Sequence, residues 1–287
     1  MTFLNLNDII VTMKKIFELV TSEQMDPISI KDLLRKEGIS ATLIKKAKYG
    51  GIHLNGNPVT VRAIVNHGDK VEIFVEDIFS EGIPPMDIPL RVLYEDDDIL
   101  AVDKPTNMPT HPSKGNNLPT LANAVMGYYG GDFVFRSVNR LDRDTSGIVI
   151  IAKNQLSAGM LSSSMKQGQW EKKYNALVSG VPSPEEGVID APIERVCEGN
   201  IKRTVRMDGK PAITKYRVLE KKENNSICEI TLLTGRTHQI RVHFQHIGHP
   251  LVSDFLYGEV SEKEYFLRCV EINFPHPRTG EKLIIKA

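Results

Sequence analysis

Little in this chain points to a secreted, membrane-embedded or metal-built protein. Its 287 residues include three cysteines, Cys197, Cys228 and Cys269. They are too few and too scattered for a disulfide framework or a zinc cluster. No apolar run approaches the roughly 20 residues of a membrane helix, and no secretory signal opens the sequence. There is no internal repeat, no low-complexity tract and no glycine-rich phosphate loop. These absences describe a reduced, cytoplasmic protein with no membrane partner, no metal and no cofactor. Net charge is also lacking, with 36 Lys and Arg against 36 Asp and Glu.

That neutrality hides a strong segregation. Residues 30 to 70 carry a net charge of +5, residues 71 to 103 carry −9, and residues 104 to 287 carry +6. A basic patch, an acidic connector and a mildly basic body suit a protein that binds a polyanion. At 41% hydrophobic residues, the length suffices for one large core and a small satellite domain.

Residues 1 to 27 are ambiguous. Ile9, Ile10, Met13, Ile16, Phe17 and Val20 fit a helical face, while the run IFELV suits a strand. The pattern then becomes clearer. Ser29 and Asp32 have the spacing of a capping box, and Gly38 can end the helix they start. Ser40 can cap a second helix that carries Lys45, Lys46 and Lys48. Gly50-Gly51 stops it, Asn55-Gly56 turns a hairpin, and VEIFVE closes the unit as a strand. This order resembles the RNA-binding module of a small-subunit ribosomal protein, the S-four type or αL motif, over about residues 28 to 75. Residues 1 to 75 are therefore read as an RNA-binding domain with an N-terminal extension, and 76 to 90, acidic and proline-containing, as a linker.

From 91 to 287 the pattern is strand-rich: RVLYE, DILAVDK, GIVIIAK, KYNALVSG, ITKYRVLEK, ICEITLL and KLIIKA. Helical stretches fall at 120 to 128, 156 to 167 and 238 to 247. Strands that outnumber helices without alternating strictly with them predict an α+β domain with a mainly antiparallel sheet.

The stretch SVNRLDRDTSG, residues 137 to 147, sets Asp142 between Arg140 and Arg143 ahead of an apolar run. Asp, Thr, Ser and Gly are turn residues, so a turn before a strand explains it simply. A nucleophilic carboxylate kept ionised by guanidinium neighbours explains it too. Four other segments bear on the choice: DKPTNMPTHPS with Lys104, KKYNALVSG with Tyr174, LLTGRTHQIRVHF with Arg236, Ile240 and Arg241, and the turn-rich GHPLVSDFLYG. Taken singly, each has an ordinary structural explanation.

Taken together, in this order, they resemble the RluA family of RNA pseudouridine synthases over about residues 90 to 287. The resemblance implies that Asp142 is the nucleophile that converts uridine to pseudouridine. It implies that Tyr174 packs on the target base and helps move a proton, and that Arg236 pairs with the carboxylate. Arg140 is associated with RNA and base flipping. Asn139 stands where many members have histidine, and with Lys104, Ile240, Arg241 and the lysines Lys45, Lys46 and Lys48 of the N-terminal module it completes the expected substrate-binding set. The implied partner is RNA, ribosomal RNA of the large subunit first and transfer RNA second, acted on by a monomer. Two other readings fit parts of the pattern. Asp142-Arg143-Asp144-Thr145 fits the outline of an aspartate-dependent phosphatase, but the apolar strand follows the motif instead of leading into it. A non-catalytic RNA-binding or ribosome-assembly factor would not need Asp, Tyr and Arg together.

Overall fold

The computed structural model describes residues 13–22, 26–76, 83–113, 119–260 and 265–287. The N-terminal module begins with β1 (Met13–Val20), the segment left open between helix and strand. Pairing decides it. β1 runs antiparallel to β6 (Lys70–Glu76), so its apolar positions are read at a strand's period of two. Between them lie β2 (Ile28–Ser29), α1 (Ile30–Lys36), α2 (Ala41–Ala47), β3 (Ile52–Leu54), β4 (Asn57–Pro58) and β5 (Ile64–Val65). The sheet order is β1-β6-β3-β4, with β2 and β5 paired separately.

Local chemistry sets the boundaries. Ser29 and Ser40 each accept a backbone N–H three residues on, and so cap α1 and α2. Asp32 departs from the expected box, since its carboxylate accepts from the Ser29 hydroxyl at 2.6 Å. Asn55 and Gly56, with φ of 51° and 80°, make the hairpin turn between β3 and β4. Ile30, Leu33, Leu34, Leu43 and Ile73 fill a core of their own.

The second module contains β7 (Arg91–Glu95), β8 (Ile99–Lys104), α3 (Leu121–Tyr128), β9 (Ser146–Ala152), α4 (Gln155–Lys166) and β10 (Glu171–Ser179). It continues with β11 (Glu186–Asp190), β12 (Ile193–Arg195), β13 (Arg203–Val205), β14 (Ile213–Lys221), β15 (Asn225–Leu232), α5 (Gln239–His246), β16 (Leu267–Pro275) and β17 (Lys282–Lys286). Its sheet runs β11-β14-β15-β10-β16-β9-β8-β7, with β17 on β16, and β12 and β13 form a separate hairpin. Among the described residues, only β16 and β9 pair in parallel. The fold is therefore α+β with a mainly antiparallel sheet, as the strand-rich pattern predicts.

The central strand β16 was not among the sequence's expected strands, because Arg268 and Glu271 interrupt its apolar run. It nevertheless joins the two halves of the sheet, pairing with β10, β17 and β9. Residues 77–82 of the expected linker lie outside the described residues. The part that follows is docked: Asn123 of α3 donates to the Pro84 carbonyl at 2.8 Å, and Met86 N–H donates to Asn123 O at 3.1 Å. Between modules, Leu156 and Met160 of α4 pack into the N-terminal core.

Candidate active site

The Asp142 loop is a turn laced to its neighbours. Thr145 N–H donates to the Asp142 carbonyl at 3.1 Å, closing the turn. Asn139 fixes the approach: its Nδ2 donates to Ile148 O at 3.1 Å and its Oδ1 accepts Ile150 N–H at 2.8 Å, both on β9. Both ends of the amide bond to the β9 backbone, so Asn139 holds the loop. Gly147 (φ 108°) lets β9 begin against β16, because a Cβ there would lie 2.1 Å from Cys269 O. The Thr-Ser-Gly ending is explained by this close approach.

The proline-fixed loop after β8 is the second wall. Lys104 is fully buried, and its ammonium donates to the carbonyls of Pro105, Met108 and Arg143 at 2.9, 2.7 and 3.1 Å. Thr106 donates to Asp144 O at 2.9 Å, and Thr110 to Leu141 O at 2.9 Å. Burial lowers the Lys104 pKa to about 8, opposed by the nearby carboxylates of Asp144 and Asp142. The substrate-binding role expected for Lys104 is corrected: every donor is occupied in tying the two loops together. Lys104→Met should take a partner from each of three loop carbonyls, Arg143 O keeping the Met108 N–H, and cost about 1 to 3 kcal/mol. Chemical denaturation measures this, and an unchanged midpoint would show that the ammonium does not hold the loops.

The cation beside Asp142 is not the one the sequence suggested. Arg236 is exposed, and its Nε donates to Pro211 O at 2.9 Å. Arg241, one turn further along on α5, places Nη1 3.6 Å from Asp142 Oδ2. At that distance the contact is electrostatic and not a hydrogen bond. Its other side is locked: Nε and Nη2 each donate to Asp254 at 2.7 Å. Asp254 is fully buried and also accepts the Leu256 and Tyr257 N–H groups. The rings of Tyr257, Phe255 and Tyr265 surround the guanidinium at 5.1, 5.4 and 5.8 Å. Burial disfavours the charge of Arg241, but the bonds to Asp254 more than compensate, and its pKa is raised.

The choice between the two arginines is made by the helix entry. His238 adopts a left-handed conformation (φ 58°) and starts α5, turning Arg241 inward. Gln239 pins the entry by accepting from Arg236 N–H and Thr234 and donating to Ile213 O and Thr214. Ile240 and Phe244 face the core as their spacing predicts. His238 itself lies 3.8 Å from Asp142 Oδ2, and its Nδ1 is bonded to Tyr257 Oη at 2.8 Å. Burial lowers its pKa despite the facing Asp142.

These elements enclose a cavity of about 590 Å³ lined by Asp142, Tyr174, Arg241, Arg236, Asn139 and Ile240 among others. That size lies in the range of roughly 300 to 1,000 Å³ typical of clefts for small molecules. Tyr174 rises into it from β10 and is nearly buried. Burial, with Cys269 and Asp142 acting in the same direction, raises its phenol well above the ordinary value. Tyr174 thus keeps its proton and can donate, but it is not a standing base. Lys172, two residues earlier, also lines the cavity. It lies over the Trp170 ring at 5.7 Å, and no carboxylate pairs with it among the described residues. Arg140 is exposed at the mouth.

Away from the cavity, Lys45, Lys46 and Lys48 are exposed on and just after α2. Lys46 donates to Gln155 of α4 at 3.1 Å, which joins it to the second module. Asp96, Asp98 and His276 cluster tightly enough to resemble a metal site. Their oxygens are taken instead by Tyr94, His276, Arg278, Ser157 and Asn154. Sequence reasoning missed His238, Asp254 and Lys172. His238 sits inside the quoted Gly-Arg-Thr-His-Gln motif, whereas nothing local distinguishes Asp254 from a turn residue.

Residues 98–246 match the family model described as RNA pseudouridylate synthase. An uncharacterized RNA pseudouridine synthase of Bacillus subtilis, YjbO, is 36% identical over 89% of this chain and 93% of that protein. The ribosomal large subunit pseudouridine synthase D of Pasteurella multocida is 36% identical over 80% of this chain and 77% of that one. Among solved structures, human RNA pseudouridylate synthase domain containing 1 superposes with a TM-score of 0.61 at 28% identity, covering 71% of this chain and 85% of that chain. The matched region runs from the start of β8 through α5 and so contains both Asp142 and Arg241, and with relatives this similar over most of their length the chain belongs to the RNA pseudouridine synthase family, isomerases that act on RNA.

Proposed function

We propose that this enzyme isomerises uridine in large-subunit ribosomal RNA, with Asp142 as nucleophile, Arg241 as its fixed cation and Tyr174 as the face on which the flipped base packs. The observation that carries the reading is the locked guanidinium of Arg241, 3.6 Å from a carboxylate at the mouth of a nucleoside-sized cavity.

The chemistry suits these groups. The N1–C1′ bond breaks, uracil turns over, a C5–C1′ bond forms, the C5 proton leaves and N1 takes one up. Atoms balance without oxidant, nucleotide or leaving group. An ionised carboxylate can form the covalent bond that keeps the fragments together. Arg241 faces that carboxylate and is held where it cannot swing away. A tyrosine face replaces the stacking the base loses on leaving the RNA, at a cost of a few kcal/mol that contacts to flanking phosphates offset. The name of the Pasteurella relative supports the ribosomal substrate. Pseudouridine mapping of ribosomal RNA before and after incubation with the purified enzyme tests it. One or a few new pseudouridines in large-subunit RNA are expected; modification of transfer RNA alone would overturn the assignment.

The same reading makes residues 1 to 75 an RNA-docking module of the S-four kind. Deleting them should weaken RNA binding and flatten its salt dependence, each lost phosphate contact lowering the logarithmic slope by about 0.7 to 0.9. Filter binding across a salt series measures this, and an unchanged slope would reduce Lys45 and Lys48 to a solvated face. Because Leu156 of α4 is buried in the N-terminal core, the truncated enzyme needs Leu156→Ser to stay soluble.

A further inference from the structure

The cavity continues past Asp142 into a second groove of about 550 Å³, whose lining includes Arg140, Arg143, Ile201 and Phe255. Two of these are large apolar side chains left open to water. Phe255 is 53% exposed and Ile201 64%. An aromatic ring half open to water beside a cationic catalytic cleft suits a ligand that is anionic along its backbone and flat in its side groups.

Phe255 is also held in place. Its ring lies 5.8 Å from the Arg143 guanidinium and 5.4 Å from that of Arg241. Arg143 is itself fixed by two hydrogen bonds to Asp144 at 2.8 and 3.0 Å. Ile201 lies on the connection between β12 and β13, which is anchored to the segment bearing Phe255: Arg203 N–H donates to Tyr257 Oη at 2.8 Å, and Lys202 Nζ lies 5.6 Å from the Tyr257 ring. Both walls of the groove are therefore braced before any ligand arrives.

We propose that Phe255, flanked by Ile201, is a stacking platform for the nucleobase next to the target uridine. The inference rests on the RNA reading above and deepens it. Flipping the target leaves its neighbour with one face uncovered, and a pre-placed ring restores the lost stacking. Since every base has a π face, the platform favours no particular base; it positions the strand, with Arg140 in the same groove for a phosphate.

The test uses a fragment of large-subunit ribosomal RNA around the uridine that the wild-type enzyme modifies, either intact or with the base of the 5′ or 3′ neighbour removed. On intact RNA, Phe255→Ala should lower kcat/KM by roughly 5- to 150-fold, the effect of one base stack, while Phe255→Trp should stay within about threefold of wild type. Removing the correct neighbouring base should cost the wild-type enzyme a similar factor and Phe255→Ala nothing further. The salt dependence of binding should be unchanged in Phe255→Ala, since no phosphate contact is lost. An alanine penalty that is absent, or equally large on every abasic fragment, would overturn the platform while leaving the isomerase intact. A wild-type enzyme that modifies no uridine in RNA would overturn the RNA reading, and the platform with it.

Discussion

Arg241→Lys is expected to lower the single-turnover rate on saturating enzyme by about 10- to 100-fold while keeping the charge, because small misplacements at a reacting centre have effects of that size. Two guanidinium nitrogens hold Asp254 and the third faces Asp142. A lysine ammonium has no such fork. It can meet one carboxylate or the other, so the site loses either its anchor or its catalytic cation. Arg241→Ala should be worse in a second way: it leaves Asp254 buried and unpaired, a change that typically costs about 3 to 5 kcal/mol. Arg236→Lys should be mild by comparison, since the Arg236 side chain is exposed and bonded to a carbonyl. Single-turnover kinetics with parallel thermal unfolding separates the chemistry from the fold. If Arg236→Lys were the slow variant and Arg241→Lys near wild type, the cation would have been assigned to the wrong turn of the chain.

Asp142→Asn should reduce pseudouridine formation by more than about 10³-fold, with RNA affinity within a few-fold of wild type, since phosphates carry most of the binding. The substitution keeps size and shape at a side chain that is 34% exposed, so the melting temperature should hardly move. A matched loss of binding and turnover would instead point to a damaged groove. The stable, RNA-binding, inactive outcome is specific to a residue that acts in the covalent step.

How much of this was visible in the sequence depended on how local each interaction is. The caps at Ser29 and Ser40, the Asn55-Gly56 turn and the strands from RVLYE to KLIIKA are decided by neighbours a few positions away, and they form where the pattern puts them. Asp142 could be singled out because its motif is contiguous. Arg236 and Arg241 share one short segment, and which of them turns inward depends on the left-handed residue at His238, which composition does not reveal. Lys104 reads as a cation available for RNA until the fold brings Arg143 O within 3.1 Å of its ammonium. Asp254 and the central strand β16 were missed for the same reason, their roles being set by partners far away in the chain. β1 shows the reverse case: its residues allowed helix or strand, and an edge of β6 decided.

The central claim is that Asp142 drives the rejoining of ribose to C5 of uracil, and tritium release from RNA carrying [5-³H]uridine reports that bond directly, because forming it expels the C5 hydrogen. Wild-type enzyme should release tritium in step with pseudouridine formed, and Asp142→Asn should release none above the enzyme-free rate while still binding the RNA. Release by Asp142→Asn at a rate near wild type would contradict the account.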